Sequence, residues 1–209
     1  MILAVDGGLA TCGYAIVTWS GRIDALGVLT SKPDPKLGVT ADRAARTTRL
    51  ARELAAAMRN APQQIEAIVA ERMSFPPKAG HHATASICLG WGVLTGLATA
   101  SGLEVVDVAP KTWQRAVVPA AVDERDQDAI DYDVVFAELA RYVAESPAAG
   151  QLAAIPKSRQ SHCLDAVGVG VYAAMLGMSF GDAGDRPATV STRRPRRRAV
   201  ERHEAERST

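Results

Sequence analysis

A chain of 209 residues with 47% hydrophobic and 22% charged residues has the length and composition of one soluble domain with room for a tail. Three cysteines without any CxxC pair exclude a disulfide scaffold and a structural zinc site. The longest apolar stretch, residues 87–100, is shorter than the roughly 18 residues of a spanning helix, and the N-terminus lacks a signal peptide's basic region. We therefore expect a reduced, cytoplasmic protein without membrane association.

The net charge of +1 is distributed unevenly along the chain. Residues 1–185 carry a net charge of −4, whereas residues 186–209 hold eight arginines and three glutamates and carry +5. Such a basic tail either binds a polyanion such as nucleic acid or keeps the protein in solution, and the tail alone does not separate these roles. We predict a folded domain over residues 1–180 and a disordered Arg-rich tail over 181–209.

The first thirty residues predict three strands joined by tight turns. A short apolar run over residues 2–6 ends in the carboxylate of Asp6, and Gly7 and Gly8 signal a turn. Residues 13–19 are rich in β-branched and aromatic side chains, and residues 23–29 follow a turn at Gly21. Consecutive strands with short connections form an antiparallel meander.

Helices and strands then alternate along the chain. The hydrophobic period becomes helical over residues 40–60, where Thr40 can cap the helix and Pro62 follows its end. The remaining pattern predicts a strand over 65–70, a helix over 83–101, a strand over 103–108, a short helix from Pro110, an acidic loop over 123–133, a helix over 133–145, a loop over 150–161 and a helix over 161–178. The helix over 83–101 has so few charges that we expect it to be buried nearly all round. This order predicts an α/β fold, a mixed five-stranded sheet flanked by helices.

Three acids and one histidine lie where a site would form. Asp6 closes the first strand and Glu71 follows the fourth, so both emerge at one edge if these strands are parallel neighbours. His162 and Asp165 are spaced i, i+3 and share one face of the last helix. Each residue alone has a simpler structural role, as a turn acid, a helix cap or a satisfied buried histidine. Their joint placement favours a site.

A cluster of carboxylates is costly unless a cation neutralises it. Oxygen ligands favour Mg²⁺ or Mn²⁺, and a histidine is tolerated better by Mn²⁺. Two such ions held close together catalyse in-line displacement at phosphorus. The cluster therefore predicts two divalent ions per site and phosphodiester chemistry.

The motifs that carry these residues resemble RuvC-type Holliday junction resolvases. The resemblance rests on VDGGLATCGYAIV near the N-terminus, IEAIVAERMSF in the middle and HCLDAVGVGVYA near the end, in order over residues 1–180. It implies an RNase H-like fold, a homodimer, and metal-dependent cleavage of branched DNA that leaves 5′-phosphate and 3′-hydroxyl ends. Carried over by position, the catalytic and metal-binding set is Asp6, Glu71, His162 and Asp165. Many members have Asp where His162 stands, and the acidic stretch and the Arg-rich tail are additions that suggest a divergent or phage-type member.

Basic and aromatic residues near these motifs are candidates for DNA binding. Lys and Arg side chains contact phosphates without reading sequence, and an aromatic side chain at a loop tip can stack on an unpaired base. Phe75, just after Glu71, is therefore a candidate wedge at a branch point, although it can instead pack against the neighbouring prolines. The remaining candidates for DNA binding are Lys78, Lys111, Arg115, Lys157 and Arg159.

The small residues of the helix over 83–101 would allow a close contact between two copies of the chain, and a symmetric dimer suits an enzyme that cuts two strands. Two of three alternative kinds of function stay open, because the length of the chain excludes the actin-like one. A general branched-DNA nuclease or a YqgF-like RNA nuclease would keep the fold and change the substrate. An actin-like phosphotransferase would need more residues than this chain has. A non-catalytic DNA-binding protein would use the Arg-rich tail alone.

Overall fold

A mixed five-stranded sheet lies at the centre of the computed structural model, which describes residues 1–73, 80–122 and 129–180. The strands are β1 Ile2–Asp6, β2 Thr11–Val17, β3 Ile23–Thr30, β4 Ala67–Glu71 and β5 Val105–Val108. The helices are α1 Val39–Arg59, α2 His81–Ala100, α3 Pro110–Val117, α4 Tyr132–Ala144, α5 Ala149–Ala154 and α6 Lys157–Phe180, with a 3₁₀ turn over Pro119–Ala121. The predictions for Phe75, Lys78, most of the acidic stretch and the Arg-rich tail lie outside the described residues.

The strand order β3-β2-β1-β4-β5 confirms the predicted α/β architecture of five strands flanked by helices. β1, β2 and β3 form the expected antiparallel meander, and β4 and β5 extend the sheet in parallel on the other side of β1. Val5 of β1 pairs with Ala70 of β4, so the next residue of each strand, Asp6 and Glu71, lies at the same edge. The register therefore brings two acids together that are far apart in sequence.

Alternate residues of the strands build two separate cores, one on each face of the sheet. Ile2 and Ala4 of β1 face the core that includes α4 and α6. Leu3 and Val5 face the opposite core, which is closed by α1 and α2. The side-chain period of two along β1 thus leaves no solvent-exposed face at its centre, and four of its five residues are buried.

Helix α6 lies unusually close to the sheet because glycines remove side chains from the contact. A Cβ atom at Gly13 of β2 would lie only 1.9 Å from the carbonyl oxygen of His162. A Cβ at Gly170 would lie 2.6 Å from Cγ2 of Val17 and 2.9 Å from Cβ of Ala4. The start of α6 is therefore held against β2, and this contact sets the height of His162 above the edge of the sheet.

The segment predicted as a loop over 150–161 is helical. α5 occupies Ala149–Ala154, and α6 begins at Lys157 rather than at residue 161. The first turn of α6 has no apolar residue and is largely exposed, so it carries no hydrophobic period. Gln160 stabilises this junction by donating hydrogen bonds from its side-chain amide to the carbonyl oxygens of Leu152 and Ile155. Lys157 and Arg159 consequently lie on α6.

The start of α1 also differs from the prediction. Gly38 occupies the N-cap position and makes no side-chain hydrogen bond, so Thr40 lies inside the first turn. The side chain of Asp42 accepts a hydrogen bond from the backbone N–H of Asp34 and thereby ties the preceding loop to the helix. The acid of the first turn therefore anchors the loop, while the predicted threonine cap is not formed.

Helix α2 is only partly buried, so the expectation of burial on all sides is wrong. Its buried residues are Gly90, Val93, Leu94 and Ala98. Cys88, Gly92 and Gly96 are exposed and line a groove between α2 and α1. With 20 residues and a mean hydropathy of 1.4, α2 is long and apolar enough to cross a membrane by length and composition alone. The whole helix meets this criterion although its uninterrupted apolar part is shorter, and one face of it packs on the sheet.

Candidate active site

Three carboxylates converge at the edge of the sheet where β1 and β4 end. Asp6 and Glu71 come from the ends of these parallel neighbours, and Asp165 comes from α6, which crosses the same edge. One carboxylate oxygen from each residue lies within 4.8 Å of the others. The structure thus brings together three of the four residues predicted as metal ligands in a group that one cation can bridge.

The electrostatics of this group fit a divalent cation. Burial, together with the charge of Asp6, raises the pKa of Glu71 to about 7. Burial, together with the charges of Glu71 and Asp6, raises the pKa of Asp165 to about 8. Glu71 and Asp165 resist ionisation because they are buried and because other carboxylates lie near, and a cation would relieve this repulsion. The donor set is all oxygen, which is the chemistry that Mg²⁺ and Mn²⁺ prefer.

His162 lies beside the three carboxylates and is bonded to one of them. Its Nδ1 atom is 2.8 Å from Oδ2 of Asp6, and this hydrogen bond raises the pKa of His162. With the oxygen of Asp6 as the acceptor, Nδ1 carries the proton and donates the hydrogen bond. In the neutral ring Nε2 then holds the lone pair. His162 is outside the group of three converging ligand atoms, and its free nitrogen is available to a metal ion or to a proton.

Trp113 is a neighbour of the site that the sequence did not identify as functional. Its indole Nε1 donates a hydrogen bond of 3.2 Å to Oε1 of Glu71, and the side chain is completely buried. Its place in the sequence could have identified it, because Trp113 lies just after β5. The last residue of β5, Val108, pairs with Glu71 of β4. A buried indole N–H in that place needs an acceptor.

The basic residues predicted to bind DNA lie on two helices. Lys111 and Arg115 are exposed on α3, which follows β5. Lys157 and Arg159 are exposed on the first turn of α6, ahead of His162. The structure therefore places all four on elements that lead into or out of the carboxylate edge.

The repulsion among the carboxylates predicts that Asp165→Asn stabilises the metal-free protein. The pKa of Asp165 is near 8 in the folded protein and near 3.8 in a model compound, so the folded state binds the extra proton between these values. Folding stability from this group is therefore present at low pH and is lost as the pH rises towards 8. We expect the substitution to raise the unfolding free energy at pH 8 by at least about 2 kcal/mol.

Urea unfolding at pH 5 and pH 8 in EDTA measures this effect. The gain from Asp165→Asn should be larger at pH 8 than at pH 5, and Mg²⁺ should stabilise the wild-type chain more than the variant. The matched control is Asp24→Asn, which changes an acid on β3 that is paired with Arg22. Its effect on stability should depend neither on pH in this range nor on Mg²⁺. A variant that is less stable than wild type at both pH values would contradict the predicted repulsion.

Comparison with known proteins finds similarity of structure without similarity of sequence. No family model matches the chain, and no curated protein matches it. The structure is similar to that of RuvC from Thermus thermophilus, with a TM-score of 0.59 and 18% sequence identity over 85% of this chain and 96% of that chain. T. thermophilus RuvC in complex with a Holliday junction substrate matches with a TM-score of 0.58 and 16% identity, covering 85% and 95% of the two chains.

The yeast mitochondrial Holliday junction resolvase Ydc2 is a third structural neighbour. It matches with a TM-score of 0.57 and 12% identity, and the alignment covers 87% of this chain and 80% of that chain. The five-stranded mixed sheet and the helices around it are common to these neighbours, although identities this low establish the fold alone. The chain therefore has the RNase H-like fold of RuvC and Ydc2, as its sequence motifs predicted.

Proposed function

We propose that the protein is a metal-dependent, structure-selective endonuclease that cleaves Holliday junctions in DNA recombination and repair. The observation that carries the proposal is the convergence of Asp6, Glu71 and Asp165 within 4.8 Å at the end of β1 and β4. The neighbouring structures of the same fold include one with a Holliday junction substrate. The carboxylate group supplies the chemistry, and the fold supports the choice of branched DNA as substrate.

Asp6, Glu71 and Asp165 would hold Mg²⁺ or Mn²⁺, and His162 can add a ligand through Nε2. We propose two ions per site, since four residues with seven donor atoms can share two cations. When bound, such ions activate a water molecule for attack on phosphorus and stabilise the leaving oxygen. The products would be a 5′-phosphate and a 3′-hydroxyl, as the resemblance to RuvC-type enzymes implies.

The chain's own residues would control the proton of the attacking water. Asp6 accepts the hydrogen bond from Nδ1 of His162 and so keeps the lone pair on Nε2. Nε2 can then accept a proton when it does not bind a metal ion. The bond between Asp6 and His162 therefore suits His162 both as a metal ligand and as a proton acceptor.

The exposed side chains of α3 and of the first turn of α6 would hold the DNA backbone near the carboxylates. We propose that Lys111, Arg115, Lys157 and Arg159 contact phosphates, which position a duplex without reading its sequence. The roles of Phe75 as a stacking wedge and of Lys78 as a phosphate contact remain proposals from the sequence. Contacts of this kind would make binding weaken as the salt concentration rises.

We further propose that two copies of the chain form a symmetric dimer through α2. The exposed small residues Cys88, Gly92 and Gly96 of this helix line a groove between α2 and α1. The other residues of the groove are mainly apolar. A symmetric dimer presents two carboxylate sites to the two strands that a resolvase must cut. The dimer is the assembly that the proposed reaction requires.

Gly96→Lys on α2 is expected to convert a dimer into a monomer. A Cβ atom at Gly96 meets no atom of the described part of the chain within 4 Å, so the substitution should leave the fold intact and place a charge in the proposed contact. Sedimentation velocity measures the molecular mass of wild type and variant. Gly150→Lys, at an equally open glycine on α5, is the control and should stay dimeric. A wild-type chain that sediments as a monomer at all concentrations would rule out the dimer.

A cleavage assay tests the proposed function. Purified protein is incubated with a labelled four-way junction, a matched linear duplex and a matched RNA, each in Mg²⁺, Mn²⁺ or EDTA. We expect paired, metal-dependent nicks near the branch point of the junction and intact linear duplex. Cleavage of flaps, forks or RNA would instead support a general branched-DNA nuclease or a YqgF-like nuclease. Salt-sensitive binding without any cleavage would support the non-catalytic alternative.

A further inference from the structure

Trp113 makes two contacts that converge on the carboxylate group from different elements. Its indole Nε1 lies 3.2 Å from Oε1 of Glu71, on β4. Its ring lies against the backbone of α6, because a Cβ atom built at Gly168 would be 2.2 Å from Cζ3 and 2.6 Å from Cε3 of the indole. Gly168 is one helical turn beyond Asp165. One side chain therefore touches the carboxylate from β4 and the helix that carries the carboxylate of Asp165.

The position of Trp113 follows from the chain connection after β5. Glu71 pairs with Val108 in the parallel register of β4 and β5, and α3 begins two residues later at Pro110. Proline at this first helical position starts the helix at once, because its fixed φ suits a helix and its missing N–H is not needed there. Trp113 thus falls in the first turns of a helix that starts beside the end of β4.

The chemistry of the indole suits the support of a metal ligand. An indole N–H is a donor only, so it can orient a carboxylate and cannot take its place on a cation. The side chain is fully buried, so this N–H has no water to replace Glu71 as its acceptor. Hydrogen bonds from residues behind the ligands commonly fix the orientation of metal-binding carboxylates.

We propose that Trp113 is a positioning residue that orients Glu71 for metal binding. It also holds α6 in place, so that Asp165 lies beside Glu71. This inference rests on the proposed metal-dependent function and deepens it. Trp113 contacts no reacting atom in the proposal and acts through Glu71 and Gly168. The alternative is that Trp113 only fills the core, where it is among the largest fully buried side chains.

Mn²⁺ binding in the absence of DNA separates these two roles. The EPR signal of free Mn²⁺ is titrated with wild type and with Trp113→Phe, which keeps an aromatic ring and removes the N–H. We expect the dissociation constant for Mn²⁺ to rise about 10- to 100-fold in the variant, the range found when supporting hydrogen bonds to metal ligands are removed. We also expect the Mg²⁺ concentration for half-maximal cleavage to rise more than the rate at saturating Mg²⁺ falls.

Leu54→Val provides the matched control for lost packing. Leu54 is fully buried on α1, in the core on the opposite face of the sheet from Trp113. This variant should lower the melting temperature and leave Mn²⁺ affinity unchanged. If Trp113→Phe also lowers only the melting temperature, Trp113 is a core residue and the proposal is overturned.

A second variant keeps the test decisive if Trp113→Phe does not fold. Replacement of Trp113 by 3-benzothienylalanine retains the bicyclic ring and substitutes sulfur for the N–H group. Weakened Mn²⁺ binding in a chain with native melting behaviour supports the proposal, and native Mn²⁺ affinity overturns it. Failure of the wild-type chain to bind Mn²⁺ would instead overturn the metal site itself, together with this inference.

Discussion

Asp6→Asn is expected to lower the rate of junction cleavage by at least about a thousandfold, because removal of one member of a catalytic unit commonly costs this much or more. Asp6 serves twice in the site, as one of the three converging carboxylates and as the acceptor for Nδ1 of His162. Asparagine is uncharged, and its amide can present a donor to the ring and reverse the tautomer of His162. The substitution therefore removes both a metal ligand and the control of a proton.

Single-turnover cleavage of a labelled four-way junction in Mg²⁺ measures this loss. Binding of the junction in EDTA should stay within a few-fold of wild type, because Asp6 is a carboxylate and makes no attractive contact with phosphate. Asp24→Asn, on the edge strand β3, is the matched control and should cleave at the wild-type rate. Retention of metal-dependent cleavage by Asp6→Asn would mean that the reaction takes place elsewhere on the protein.

Gly13→Ala is expected to destabilise the protein by about 3 kcal/mol or more, at the upper end of the cost of overpacking. The added Cβ would lie 1.9 Å from the carbonyl oxygen of His162 and 2.7 Å from the backbone nitrogen of Cys163. Backbone atoms of a helix cannot rotate away as a flexible side chain can. The start of α6 must therefore move off β2 and carry His162 and Asp165 with it.

Urea unfolding and the cleavage assay together test this expectation. Cleavage by the fraction of Gly13→Ala that stays folded should fall as well, since the displaced helix carries half of the proposed catalytic residues. Gly150→Ala on α5 is the control, because a Cβ there meets no atom of the described residues within 4 Å and alanine favours a helix over glycine. Wild-type stability in Gly13→Ala would show that α6 does not lie against β2 as described.

The elements with strong hydrophobic patterns were predictable from sequence. Strand β1 was predicted with its observed bounds, and α1, α2 and α4 were each placed within two residues of their observed ends. α1 and α4 bury an apolar stripe at helical spacing, whereas β1 and α2 are apolar runs of strand and helix length, and both kinds of pattern are local. The order of strands and helices then led to the mixed sheet, because a meander followed by β-α alternation has few other arrangements.

The errors occurred where the local pattern carried little information. The first turn of α6 is polar and exposed, so residues 157–160 resembled a loop. The low charge of α2 suggested a helix buried on every side, whereas the groove beside α1 leaves Gly92 and Gly96 exposed. The polarity of a helix shows which of its faces can be buried, whereas the elements packed against the helix determine which faces are buried.

The residues that could form the site are recognisable from local features of the sequence. Acids at the ends of two apolar strands and a histidine three residues before an acid are local features, and their order along the chain led to the RNase H-like fold. How these groups meet depends on the folded chain. The hydrogen bond between Asp6 and His162 joins residues 156 positions apart, and the indole of Trp113 reaches Glu71 across 42 positions. Contacts of this kind depend on strand register and on the close approach of α6 at Gly13, which no local pattern contains. The raised pKa values of Glu71 and Asp165 follow from the same packing, since burial and mutual repulsion arise only when the three carboxylates lie together.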